Sequence, residues 1–61
     1  STFEKYTDSE GNYYCACCGF KDRNRSPFQV DHIIAMNNGG KSVLENLQIL
    51  CRSCNSRKSD K

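Results

Sequence analysis

Apolar side chains along this chain gather in short runs parted by polar stretches. Residues 1–12 are polar and end in the turn signal Glu10-Gly11-Asn12, so they read as a lead-in to a domain spanning 13–61. Tyr13 and Tyr14 run into Cys15, and Cys15 to Gly19 has the look of a tight knuckle, with Gly19 free to take positive φ. Phe20 is expected in the core beneath it. Lys21 to Pro27 is a charged loop, in which Pro27 biases Ser26 toward extended backbone. Phe28 to Ile34 predicts a strand, with Phe28, Val30 and His32 on one face and Gln29, Asp31 and Ile33 on the other. Asn37-Asn38-Gly39-Gly40 is the strongest turn signal. Leu47 to Leu50 predicts a second strand that feeds into Cys51. From Arg52 onward neither Pro nor Gly interrupts a short C-terminal helix of mediocre propensity, since Ser, Asn and Asp compete for the backbone. The expected class is small α+β: a two-stranded hairpin packed on one short helix.

Size changes the picture next. Sixty-one residues allow one domain with a thin core, and such chains need a metal, a disulfide or a partner to stay folded. Cys15-x2-Cys18 and Cys51-x2-Cys54 are matched pairs, the spacing with which two sulfurs reach one ion from a single turn. The 32 residues between the pairs exceed the ~15–20 of a minimal four-cysteine pattern and leave room for strand, loop and strand. A structural zinc ion at the base of the hairpin follows. Cys17 offers the alternative pair Cys15-x-Cys17, but the symmetric spacing favours Cys18 and leaves Cys17 a free thiol. No apolar run approaches the ~20 residues of a membrane span and no signal peptide is visible. A reducing cytoplasmic setting, of the bacterial or phage type, is the expectation, and there paired cysteines favour metal over disulfides.

The net charge of +2 is mild, but its placement is uneven. Arg52, Arg57, Lys58 and Lys61 meet only Asp60, and Lys21, Arg23 and Arg25 meet only Asp22. The basic groups thus flank both cysteine pairs. They suit a polyanion or, equally, form a solvated face. Arg52, Arg57 and Lys58 are candidate phosphate contacts along the helix. No residue presents itself as a reader of bases.

Four further residues stand out together. Singly, His32 reads as a packed or solvent-facing residue, Asn46 as a cap before a strand, Asn55 as a polar helix residue and Asp31 as a surface carboxylate. In order, however, Asp31-His32-Ile33-Ile34, Asn38-Gly39-Gly40, Asn46-Leu47 and Cys51-x2-Cys54-Asn55-x2-Lys58 resemble the HNH endonuclease family over residues 15–60. The resemblance implies a ββα-metal fold stapled by the four-cysteine zinc, and metal-dependent hydrolysis or nicking of DNA. It implies His32 as general base, Asn46 as the residue that braces the loop and so orients His32, and Asp31 and Asn55 as ligands of a catalytic divalent cation. Asn55 stands where the family usually has its final His, so the chain is an HNN variant, and Ala35 stands near where many members carry Pro. An amide oxygen in place of an imidazole favours Mg2+ or Mn2+ over Zn2+ or Ni2+ at that site. One such site cuts one strand, so double-strand cleavage takes a homodimer or two events, and sequence preference takes fusion to a specificity domain. Adjacent Asp31 and His32 converge on one phosphate only if the strand ends or bends there. The competing reading is a non-catalytic zinc module that binds nucleic acid, in which Asp31, His32 and Asn55 are incidental.

Overall fold

The computed structural model describes residues 1–59. Asp60 and Lys61, counted above in the C-terminal basic cluster, lie outside the described residues. The polar opening holds a short helix, α1 (Thr2–Lys5). Strands β1 (Tyr13–Tyr14) and β2 (Lys21–Asp22) pair antiparallel and carry the first cysteine knuckle between them. Strands β3 (Phe28–His32) and β4 (Leu47–Cys51) form the longer antiparallel hairpin, in register Phe28 opposite Cys51 through His32 opposite Leu47. Helix α2 (Arg52–Ser59) starts on the residue after β4. Strand, strand and helix follow one another as expected.

The knuckle forms because its backbone turns on itself. The Cys15 N–H donates to the Phe20 carbonyl at 2.8 Å and the Gly19 N–H to the Cys15 carbonyl at 3.0 Å. Gly19 closes the turn at φ 79°, a region open to glycine at no steric cost. The Ala16 N–H then donates to the Ile49 carbonyl at 2.9 Å and fastens the knuckle to β4.

Strand β3 stops two residues short of the expected Ile34. The loop supplies the reason. The Ile33 N–H is taken by the Asn46 carbonyl at 2.8 Å, and the Ile34 N–H and carbonyl are both taken by the Asn46 side chain. A side-chain amide thus replaces the ladder. At the other end of this loop, Gly40 lies so close to strand-end backbone that an added Cβ would stand 1.8 Å from the Ile34 carbonyl oxygen. The Asn37–Gly40 turn signal therefore answers both to turn geometry and to backbone crowding.

The buried core is Cys15, Phe28, Ile49, Leu50, Cys51 and Cys54. Half of these six residues are thiols, so among the described residues three buried hydrocarbon side chains hold the domain, too few for a chain of this size without a crosslink. Phe20, expected in the core, is 44% exposed; its ring rests on Phe28 at 5.7 Å between centroids while its other side faces solvent. The knuckle turn is too tight to draw the ring under it. Conversely, the polar opening segment adds apolar cover that its composition hides. Phe3 and Tyr6 pack against the core, with edge-on contacts of Phe3 to Tyr13 at 5.2 Å and Tyr6 to Tyr14 at 5.6 Å. Among the described residues no helix is long and apolar enough to cross a membrane.

Candidate metal centres and active site

The Sγ atoms of Cys15, Cys18, Cys51 and Cys54 all lie within 4.8 Å of one another, and Cys18 and Cys51 are 3.7 Å apart. Four sulfurs about 2.3 Å from a tetrahedral zinc stand roughly 3.8 Å apart, so the cluster fits that ion. β1 delivers Cys15, the knuckle turn delivers Cys18, the end of β4 delivers Cys51 and the first turn of α2 delivers Cys54. All five cysteines are unbridged thiols, and Cys17 is exposed and outside the cluster. Burial pushes the Cys15 thiol up, but the backbone N–H groups of Cys18, Cys51 and Cys17 outweigh it and bring Cys15 down to about 6. Backbone donors aimed at a sulfur are what a metal-bound thiolate requires. Burial and the neighbouring thiols push Cys54 up to about 12, so bare thiols crowd one another until a cation removes their protons.

On the face of the long hairpin turned to α2, Asp31 is half-buried. Its Oδ2 accepts from Gln48 Nε2 at 3.1 Å and from Lys58 Nζ at 2.5 Å. Burial would raise the Asp31 carboxyl, but the hydrogen bonds from Lys58 and Gln48 win and hold it below the usual carboxylate range. The same ammonium donates to the carbonyls of His32 and Ile33. A carboxylate and two carbonyl oxygens therefore already surround a cation at the end of β3. These hard donors match what Mg2+ or Mn2+ takes. Asn55 comes from the same face of α2, three residues before Lys58. Its Nδ2 donates to Gln29 Oε1, two positions before Asp31 on β3, which leaves its own amide oxygen unengaged in that pairing.

His32 ends β3 and its ring goes to the loop, where Nε2 pairs with Ser42 Oγ at 2.9 Å. The histidine is half-buried and its ring bonds Ser42 rather than Asp31; successive side chains on a strand leave it on alternate sides. Asn46 ties the loop around them. Its Oδ1 accepts from the Ile34 N–H at 2.8 Å, and its Nδ2 donates to the carbonyls of Ile34 at 3.0 Å and Lys41 at 2.9 Å. Lys41 precedes Ser42, so Asn46 fixes both the strand end that carries His32 and the segment that meets its ring.

Of the basic candidates, Arg57 and Lys58 line one recess with Ile33 and Gln48, whereas Arg52 stands apart from them. Lys58 is drawn to Asp31, Arg57 donates to Cys54 Sγ at 3.4 Å, and exposed Arg52 borders a separate recess with Phe20, Ser26 and Pro27. Arg25 lies over the rings of Phe3 and Tyr13, at 4.8 and 5.8 Å, and bonds the Tyr13 hydroxyl. Sequence reasoning did not single out Gln48 or Ser42. Pairing the two predicted strands places Gln48 opposite Asp31 and would have found the first. Ser42 carries no signal in the sequence, because its role depends on how the loop returns.

Searches of curated proteins and of solved structures return no match. A family model for the HNH endonuclease matches residues 15–61, which takes in both cysteine pairs, the whole long hairpin and α2. Most of the chain lies within that match: this protein belongs to the HNH endonuclease family.

Proposed function

We propose that this domain is a metal-dependent endonuclease or nickase that hydrolyses DNA phosphodiester bonds, with His32 as general base and Asp31 and Asn55 holding Mg2+ or Mn2+. The observation that carries the proposal is the ring of oxygens at the end of β3, where Asp31 and the His32 and Ile33 carbonyls gather about a cation one residue from the histidine. Asp31 and Asn55 lie on the α2 face, and His32 reaches the same strand end from the loop side. On this reading the scissile phosphate would lie across the end of β3, where the strand stops at His32.

Phosphodiester hydrolysis needs an attacking water, a proton acceptor and neutralisation of charge on the phosphoryl and departing oxygens. His32 takes the proton from water, its ring held by Ser42 and its backbone by the Asn46 brace. A bound divalent ion supplies charge neutralisation at the phosphoryl oxygen and the leaving 3′ oxygen. Asp31 would give such an ion one formal charge and Asn55 none, so these residues alone would hold it weakly and its binding would strengthen when DNA is present. Arg52 and Arg57 contribute backbone phosphate contacts without reading sequence. A zinc ion in the four-cysteine cluster serves only as scaffold. Sequence preference comes from a fused domain or a second copy, and two strands are cut by a homodimer or in two events.

The test is supercoiled plasmid incubated with zinc-loaded protein alone, with Mg2+, with Mn2+, and with each plus EDTA. Nicking that appears with Mg2+ or Mn2+ and disappears with EDTA, while the zinc content of the protein stays constant, supports the proposal. Plasmid that binds the folded protein yet stays supercoiled in every metal identifies instead a non-catalytic zinc module.

A further inference from the structure

Lys58 places a positive charge where the reading above places a metal. Its ammonium sits at 2.5 Å from Asp31 Oδ2 and donates to the His32 carbonyl, with the Ile33 carbonyl at 3.5 Å. Three donors meet three oxygens, and all three oxygens belong to the strand end proposed to hold the divalent ion. The spacing explains the reach, because Asn55 and Lys58 are three apart on α2 and project from one face.

We propose that Lys58 is an internal competitor for the divalent cation: its ammonium holds Asp31 while the ion is absent and must leave before the ion enters. This rests on the reading of Asp31 as a metal ligand. Two cations cannot share one carboxylate oxygen and its neighbouring carbonyls, since at a few ångströms their repulsion is strong even in a polar medium. The lysine side chain is 35% exposed, so the ammonium has a way out into solvent along its flexible stem. A half-buried carboxylate with only the neutral Gln48 amide for a partner carries an uncompensated charge, and Lys58 removes that cost in the metal-free protein. The consequence is a low affinity for the bare ion. A DNA phosphate offers the displaced ammonium a new partner beside the site, so substrate relieves the competition and metal and DNA bind with positive coupling.

The experiment measures Mn2+ affinity of the zinc-loaded protein by the electron paramagnetic resonance signal of free Mn2+. Wild type is compared with Lys58→Met, Lys58→Arg and Asp31→Asn. Loss of a charge-assisted contact to a half-buried carboxylate should tighten Mn2+ binding about fivefold to tenfold in Lys58→Met. Lys58→Arg should return it toward the wild-type value, and Asp31→Asn should abolish binding. If Asp31→Asn abolishes binding but Lys58→Met binds no tighter than wild type, the competition is refuted and the metal site stands. If Asp31→Asn binds as wild type does, the metal site itself is refuted and the competition with it. A second readout needs no variant: Mg2+ should raise the acylation rate of Lys58 relative to Lys5 and Lys21, and an unchanged ratio at saturating Mg2+ overturns the proposal.

Discussion

Asn46 joins the fold to the proposed chemistry, and removing it tests that joint. The side chain makes three hydrogen bonds, at 2.8, 3.0 and 2.9 Å, to two backbone segments twelve and five residues away. A neutral hydrogen bond of this kind contributes roughly 0.5–1.5 kcal/mol net, and these are half exposed, so about 2 kcal/mol for the three is the expected loss in Asn46→Ala. In a domain of this size 1 kcal/mol moves Tm by about 4–8 °C, so Tm should fall by about 10 °C with zinc still bound. Asn46→Asp keeps the acceptor for the Ile34 N–H but turns a carboxylate toward the carbonyls of Ile34 and Lys41. It should therefore be no better than Asn46→Ala, although it is nearly isosteric. Both variants free Ser42 and the residues after His32, so cleavage should fall further than stability alone accounts for. Thermal denaturation followed by circular dichroism, beside a cleavage assay well below the variant's Tm, measures the two effects. A Tm within 2 °C of wild type for Asn46→Ala, or an Asn46→Asp variant as stable as wild type, would refute the bracing role.

Other outcomes follow from the same geometry. Cys51→Ser should unfold the domain and lose zinc, since half of the buried core is thiol, whereas His32→Ala should keep native circular dichroism and zinc content. Asn55→Asp should retain metal-dependent cleavage and Asn55→Ala lose most of it; equal activity in all three proteins would remove Asn55 from the site. Asp8 accepts from the backbone N–H groups of Asn12 and Glu10 and from Lys21, and the first of these with Lys21 holds its carboxyl down at about 2. A carboxyl depressed in the folded state adds stability that is complete above its unfolded value near 4 and is lost as pH falls toward 2. Asp8→Asn should therefore lower Tm at pH 7, and the gap from wild type should narrow below pH 4; a constant gap in calorimetry across that range would contradict it.

Much of this was legible because ligand spacing and strand patterning are local. The paired cysteines, the two long strands and the helix after Cys51 follow from residues read a few at a time. What escaped depends on the return of the chain in space. Strand β3 ends early because Asn46, far along the sequence, takes the ladder positions of Ile34. Phe20 stays half exposed because the knuckle turn sets its direction before hydrophobicity does. Phe3 and Tyr6 reach the core although the segment around them is polar, because one ring in the short helix and one just after it pack edge-on against Tyr13 and Tyr14 of β1. Lys58 looked like a phosphate contact, and only the crossing of α2 over β3 reveals Asp31 as its partner.

The most direct test of His32 as the base is single-turnover cleavage of an end-labelled DNA duplex in Mn2+, comparing wild type with His32→Ala at matched zinc content and matched DNA binding. Removal of a general base should slow cleavage by about 100-fold or more while leaving fold and binding intact. Equal cleavage rates in the two proteins would contradict the assignment of the chemistry to this histidine.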